Sequence, residues 1–285
     1  MTKCITVTNQ KGGVGKTALS VHIAQFAAKG MGMKTLLVDL DGQQNSSFAA
    51  TGKSSFEHTV IELWDDEAEI PAGISTRFDF DLLPGPTAPD ATGIDEEETR
   101  SRGSGKSSSP AKAALSRLLT TEYDLIVFDT PPAPGPRQIA PLGLGGVLLA
   151  PNEPDIAAFQ GITTLYKMYQ QVAAGTDLQL KLVINKRILN SANQTHVIQA
   201  LRGSVIGKYM MMEELTSRVL VQNAMREGKA IWDVDKNDHL SAILAQVCKK
   251  CIEDLKAEEG EPPEQQPEHQ RTQVGGLLVD LNEEV

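Results

Sequence analysis

The segment "NQKGGVGKTALS", residues 9–20, decides how the rest of the 285-residue chain is read. It follows a short β-rich run, "CITVT" (residues 4–8). It leads into "TALSVHIAQFAAKG" (17–30), where Leu19, Ile23, Phe26 and Ala27 recur at helical spacing until Gly30 ends the pattern. A glycine-rich loop between a strand and a helix is a phosphate cradle. Its main-chain N–H groups turn inward on phosphate oxygens, and the helix adds the positive end of its dipole. Gly12, Gly13, Val14, Gly15, Lys16, Thr17 and Ala18 are therefore nucleotide-binding candidates. Lys16 is placed to reach the β- and γ-phosphates and Thr17 to ligate Mg²⁺. The loop also holds Lys11, a second lysine that a phosphate cradle alone does not require.

Outward from the loop, "KTLLVDLD" (34–41), "DLIVFD" (124–129), "GVLLAP" (146–151) and "LKLVIN" (180–185) are continuous apolar runs of strand length. Helical spacing is expected over residues 113–119, 159–173, 194–201 and 240–256. Buried strands alternating with helices predict an α/β fold, a mostly parallel twisted sheet with helices on both faces. Residues 1–256 make up this domain. Two segments break the pattern. Residues 91–113, rich in Gly, Ser and charge, are expected to be a mobile surface insertion. Residues 257–285 are expected to be a disordered acidic tail, although "GGLLVDL" (275–281) regains apolar residues.

Composition narrows the classes further. No run approaches the roughly 18 apolar residues of a membrane span. The start, "MTKCITVTNQ", enters a strand directly, so no signal peptide is expected, nor a helix-turn-helix ahead of the loop. Three cysteines do not make a disulfide framework, and a reducing cytoplasm is expected. The net charge of −10 is uneven: residues 257–285 carry eight acidic side chains and one basic, a net of −7, which leaves about −3 for the body. A body that close to neutral can present a basic face.

Two acidic strand ends complete the candidate site. Asp39 and Asp41 close the second strand, where ligands bind in open α/β sheets. Asp129 ends "LIVF" at the position of a carboxylate that holds Mg²⁺ through water, and "TPP" turns the chain off the sheet. The usual loop spacing G-x-x-x-x-G-K-[ST] asks for glycine where this chain has Gln10, so the fit is instead to K-G-G-x-x-G-K-[ST], the deviant Walker A pattern. With "LLVDLDGQQN" (36–45), "YDLIVFDTPP" (123–132) and a looser "NAMREGKAI" (223–231), the chain resembles the ParA/MinD family of P-loop ATPases over residues 3–256, and most of all the ParA-type partition proteins.

The resemblance implies an ATPase with ATP and Mg²⁺ as ligands, forming an ATP-dependent sandwich homodimer in which Lys11 reaches the partner's phosphates. It implies that Lys11, Lys16 and Asp41 are catalytic, with Asp41 orienting the attacking water. Thr17, Asp39 and Asp129 serve the metal and its waters, and Asn185 lies near the purine. It also implies non-specific DNA binding by basic residues of the C-terminal third, for which Arg187, Arg202, Lys208, Arg218, Arg226 and Lys229 are candidates. A ParB-like or cargo-adaptor protein would stimulate hydrolysis, and the location would be cytoplasmic and nucleoid-associated. The chain departs from the family at Gly42, where proline is usual, and in residues 216–222, which lack the usual "PR" pair. Two other readings stand beside this one. A MinD-like membrane cycle needs a basic amphipathic C-terminal helix, whereas this tail is acidic. A metal-carrier role would use Cys248 and Cys251, although their phase within "LSAILAQVCKKCIEDL" (240–255) fits buried helix positions better. "YMMMEEL" (209–215) is read as core packing rather than a partner site.

Overall fold

The apolar runs form an eight-stranded sheet in the computed structural model of the chain, which describes residues 2–103, 109–155, 157–217, 219–235 and 238–255 and the backbone of 271–274 and 277–280. The strands are β1 (Lys3–Val7), β2 (Thr35–Asp39), β3 (Ile74–Ser75), β4 (Asp81–Leu83), β5 (Leu125–Asp129), β6 (Val147–Asn152), β7 (Gln179–Arg187) and β8 (Met210–Thr216). Their order is β3-β4-β2-β5-β1-β6-β7-β8, and all neighbours are parallel except β3 with β4. The central strands are buried on both faces, which is why their sequences read as unbroken apolar runs.

Alternation along each strand divides the core into layers. Ile5, Val7, Leu37, Val127 and Leu149 face one side, against Leu19 and Ile23 of α1 (Lys16–Gln25). Leu36, Val38, Ile126 and Phe128 face the other, against Ala111, Ala114 and Leu115. Helix α1 continues into a wider π-type turn, Phe26–Gly30, a change of helix type that the sequence spacing did not show, and it closes at the glycine expected to end the pattern. The later helices are α2 (Asn45–Thr51), α3 (Ala88–Gly103), α4 (Pro110–Ser116), α5 (Pro136–Ile139), α6 (Ala157–Ala173), α7 (Ala192–Arg202), α8 (Val219–Arg226), α9 (Ile231–Val234) and α10 (His239–Asp254). Helix α10 covers the same face as α1 through Leu240, Leu244, Val247, Cys248, Cys251 and Ile252, and Asp238 caps it by accepting from the N–H groups of Leu240 (2.9 Å) and Ser241 (3.3 Å). Each such aliphatic side chain contributes about 1.5–3 kcal/mol by leaving water.

Two expectations need correction. Residues 91–113 are not a plain surface insertion, because residues 91–103 lie in α3. Its Ala91 and Ile94 are buried, as is Glu98, whose Oε2 accepts from the Ser109 hydroxyl (2.9 Å). Ser109 in turn caps α4 by accepting from the Lys112 N–H, with Pro110 in the first turn, so that helix begins three residues before the expected 113. Residues 104–108 lie outside the described residues. In the tail, the described backbone is a hairpin of β9 (Arg271–Val274) with β10 (Leu277–Asp280), paired with each other and not with the main sheet. The Leu-Leu-Val run supplies β-forming residues that outweigh the acidic composition locally; the rest of the expected disordered tail lies outside the described residues. In β8, Met210, Met211 and Leu215 are buried as the packing reading expected, while Met212 is 75% exposed at the sheet edge.

Candidate nucleotide site

Strands up to β5 are laid on one side of β1 and those from β6 on the other, so the carboxyl end of β1 sits at the switch point of the sheet. The phosphate loop leaves from there. Gly13 and Gly15 have φ of +72° and +97°, in the left-handed region, and Gly15 opens α1. A Cβ at Gly15 would lie 2.4 Å from Asn185 Nδ2, so that position also lacks room for one. Asn9, just ahead of the loop, braces it. Its Oδ1 accepts from the Lys11 N–H (2.8 Å), and its Nδ2 donates to the Pro151 carbonyl (2.8 Å) and Asn152 Oδ1 (3.0 Å) at the end of β6.

The two lysines behave differently. Lys16 is buried, and its ammonium donates to the carbonyls of Asn9 (3.0 Å) and Lys11 (3.2 Å). Burial lowers its pKa, opposed by the nearby charges of Asp129 and Asp41. Lys11 points away from the loop. Its side chain is 38% exposed and pairs with Asp155, with Glu153 at 3.8 Å.

Asp39 and Asp129 are register partners on adjacent strands, and both are buried. Asp129 accepts from Thr17 Oγ1 (2.9 Å) and Ser20 Oγ (3.1 Å). Burial, and then the charge of Asp39, push the Asp129 carboxyl up to about 7. Asp39 is raised as well, again chiefly by burial. Its oxygens are committed to the Asp41 N–H (3.0 Å) and to the N–H and hydroxyl of Ser47 (3.0 and 2.7 Å). Asp39 therefore anchors α2 and the loop ahead of it, and Asp41 is the carboxylate that reaches the cleft. Strand alternation would point Asp39 and Asp41 the same way, but the chain turns off the strand after Asp39 and the two carboxylates separate. A hydroxyl and a carboxylate already in contact, beside a second buried carboxylate, suit Mg²⁺, which binds through one or two protein oxygens together with phosphate and water. Thr17 and Asp129 fit that donor set.

Lys16, Thr17 and Asp41 line a cleft of about 830 Å³, together with Gly12, Gly13, Gly15, Gly42, Thr130 and Arg137. Its far wall is Ala88, Ala91 and Thr92 of α3. Asn185 and Ala18 lie on the other side of the loop, in a small recess of about 40 Å³ with Leu215, Thr216 and Val221, and Asn185 Nδ2 donates to the Val14 carbonyl (2.7 Å). Sequence reasoning missed Asn9, Ser20, Ser47, Arg137 and Asp155. Asn9 and Ser20 stood in the opening motif, but nothing local marks the other three.

The remaining candidates separate. Arg187 is corrected as a surface contact. It is buried, donates to Thr195 Oγ1 (2.6 Å) and pairs with Glu214 at 3.4 Å. Arg202 shares Glu214 at 3.2 Å. Lys208 is exposed with its ammonium 5.0 Å from the Tyr209 ring centroid; Arg226 is exposed at the end of α8; Lys229 is exposed and pairs with Glu227 at 3.0 Å. Arg218 lies outside the described residues. Cys248 and Cys251 are fully buried free thiols with pKa values raised by burial, the latter to about 12. Among the described residues no group of three His, Cys, Asp or Glu side chains is arranged to hold a metal, and no helix is long and apolar enough to cross a membrane.

An AAA-domain family model, AAA_31, matches residues 2–182, well over half of the chain. The chain belongs to this family, as a ParA/MinD-type P-loop ATPase. It is similar to the chromosome-partitioning ATPase Soj of Thermus thermophilus, with 32% identity over 181 residues, covering 63% of this chain and 66% of that protein. It is also similar to the sporulation initiation inhibitor protein Soj of Bacillus subtilis, with 31% identity over 192 residues, covering 65% and 72%. Among solved structures, apo McdA of Cyanothece superposes with a TM-score of 0.75 at 20% identity, covering 88% of this chain and 100% of that one. MinD of Pyrococcus horikoshii with Mg-ADP superposes at 0.69 with 18% identity, covering 92% and 100%. At those identities the likeness of structures speaks for the fold, and the matched sequence for a ParA-like ATPase.

Proposed function

We propose that this ParA-like ATPase binds ATP with Mg²⁺, dimerises face to face, holds non-specific DNA in that state, and positions or segregates a cargo such as a plasmid, a chromosome region or a protein assembly. The observation that carries the reading is the division between the two lysines. Lys16 is buried against its own loop, and Lys11 is half-exposed and directed away from it. The β- and γ-phosphates lie in the curve of residues 12–17, where the N–H groups and Lys16 balance their charge. Thr17 and Asp129 would hold Mg²⁺, which would neutralise developing charge. Asp41, on the cleft wall, orients the water, and Lys11 of each protomer contacts the partner's phosphates. A charge supplied in trans makes hydrolysis depend on dimerisation. Release from DNA follows hydrolysis, which a ParB-like partner stimulates.

The DNA face draws on Lys208, Arg226 and Lys229, with Arg202 partly neutralised by Glu214. A titration of mixed-sequence DNA with the ADP, ATP and slow-analogue forms tests this reading. Binding is expected only with ATP or the analogue, without sequence preference, and it weakens steeply with salt as counterions are released. Equal binding in the ADP form refutes the coupling. Asp41→Ala is expected to bind ATP and stay on DNA; its rapid release in an ATP washout counts against the role of Asp41.

A further inference from the structure

We infer that Arg137 is a positioning residue for hydrolysis, locking the loop that carries Asp41 against helix α3, the far wall of the nucleotide cleft. The inference rests on the reading of Asp41 given above.

Arg137 enters α5 directly after "TPPAPGP", with Pro136 in the first turn fixing where the side chain departs. The side chain is 11% exposed, and its guanidinium joins two other elements. Nε and Nη2 donate to Asp95 Oδ1 (3.1 Å) and Oδ2 (2.9 Å) on α3, a two-pronged pairing that only arginine can make. Nη1 donates to the carbonyl of Leu40 (2.9 Å), the residue immediately before Asp41. The Leu40 N–H donates to the Asp129 carbonyl (2.9 Å), so Leu40 is tied through both its main-chain groups. The Asp41 N–H is held by Asp39, and the Asp41 carbonyl accepts from the Gln44 N–H (2.9 Å). With its backbone held at each step, Asp41 projects into the cleft from a fixed base.

The far side of the loop is held by contact. A Cβ at Gly42 would lie 3.1 Å from Ala91 Cβ and 3.4 Å from Ala88 Cα, so α3 rests on the loop at the one residue that leaves room for it. Here the loop's rigidity comes from outside, through Arg137 and α3. Asp95 and Arg137 together make the position of Asp41 depend on α3 being docked.

A purely structural tie lowers stability and leaves chemistry per folded molecule alone; a positioning tie lowers turnover at unchanged nucleotide affinity. The test is single-turnover hydrolysis of saturating Mg-ATP, with affinity measured separately by a fluorescent ATP analogue, in the full chain. For Arg137→Ala, turnover is expected to fall on the order of ten- to a hundredfold. Affinity is expected to stay within about threefold of the parent. Arg137→Lys, which can satisfy one acceptor but not both arms of Asp95, is expected to recover part of the loss. Asp95→Asn, which leaves the guanidinium present but weakens its anchor, is expected to lie between parent and Arg137→Ala. The Asp95→Asn/Arg137→Ala double variant should be no slower than Arg137→Ala alone. Parent-like turnover in Arg137→Ala overturns the inference. So does a parallel loss of turnover and affinity in both Arg137→Lys and Asp95→Asn, the milder variants that decide the matter if Arg137→Ala does not fold. Asp41→Ala, run alongside, separates the two readings: full hydrolysis by that variant refutes the role of Asp41, whereas the Arg137 series judges the tie against the parent.

Discussion

Lys11 offers the sharpest quantitative test, because it already has a partner within its own chain. Its ammonium pairs with Asp155, with Glu153 at 3.8 Å, and Glu153 also faces Lys186 at 3.9 Å. A lysine bound in cis must leave that pair before it serves a neighbour's phosphates. The side chains of Lys11 and Asp155 are 38% and 42% exposed, so solvent screens the pair. Such a pair is worth about 0.2–1 kcal/mol. A dimer breaks two of them, which sets an opposing contribution of about 0.4–2 kcal/mol. At about 1.4 kcal/mol per tenfold, Asp155→Asn is expected to tighten the ATP-dependent dimer by about two- to thirtyfold.

The assay is sedimentation or light scattering across a concentration series with a slow ATP analogue, at low and high salt. The gain should shrink as salt rises, since a half-exposed pair is screened within a Debye length of about 8–10 Å near physiological ionic strength. Lys11→Ala is expected to keep ATP binding by the monomer and lose the dimer. A dimer weakened by Asp155→Asn refutes the opposition between cis and trans pairing, because it assigns the carboxylate to the interface. A parent-like dimer in Lys11→Ala refutes the trans role itself.

Other perturbations follow from the same geometry. His22 is fully buried, its Nε2 accepts from the Ile231 N–H (3.1 Å), and burial lowers its pKa from 6.5 to about 4. The unfolded chain therefore takes up the proton first: the stability this histidine supports is complete above pH 6.5 and is lost as pH falls from 6.5 toward 4. The loss amounts to about 3 kcal/mol at the acid end; equilibrium urea unfolding of His22→Gln should show a flatter acid slope, and an unchanged slope refutes the assignment. Gly15→Ala combines a left-handed φ with a Cβ contact on Asn185, and is expected to lower ATP affinity far more than melting temperature, read by calorimetry of binding and of unfolding. Replacing Cys248 and Cys251 together by Ala is expected to cost stability by cavity formation, on the order of 1–3 kcal/mol, with ATPase activity per folded molecule retained; iron or colour in the purified parent that this change removes would restore the carrier reading. Cutting the chain after Lys256 removes a net charge of −7 and is expected to tighten DNA binding modestly at low salt, whereas weaker binding would assign the tail to the fold or the dimer.

What the sequence made legible was whatever depends on neighbours along the chain. The strand–loop–helix around residues 4–30 needed only local spacing and glycine, and Lys16 and Thr17 stand, as that spacing expected, where the helix opens from the loop. The carboxylates at 39, 41 and 129 were legible as strand ends, but their division of labour was not. Asp39 turns to Ser47 because the chain leaves the sheet there, and period-two alternation applies only while a strand lasts. Helix α3 was illegible for a related reason. Thr92, Gly93, Thr99 and Ser101 give its sequence low helical propensity, and its order comes from tertiary ties: Ile94 in the interior, Glu98 on Ser109 and Asp95 on Arg137. Charge on a sequence also says nothing of where a side chain points. Arg187 and Arg202 looked like surface cations and are held by the single carboxylate of Glu214.

These misses bear on mechanism. The phosphate side of the cleft is built from one contiguous stretch of chain, braced through Asn9 on the end of β6. The wall opposite, with Asp41, Gly42 and α3, is assembled from distant segments and depends on a few polar ties. A site so divided can bind nucleotide with the cradle alone and complete the hydrolytic arrangement only when the second wall is docked. Binding and turnover are then controlled by different parts of the molecule, as the proposed DNA-bound ATP state with triggered hydrolysis would require. The proportions can be measured: hydrogen exchange at the N–H groups of residues 41–44 should be faster than at residues 12–17 in the ADP form. Saturating ATP analogue should bring the two closer. Equal protection of both segments before ATP is added would show one preassembled site, and would move the control of turnover away from this wall to the dimer contact at Lys11.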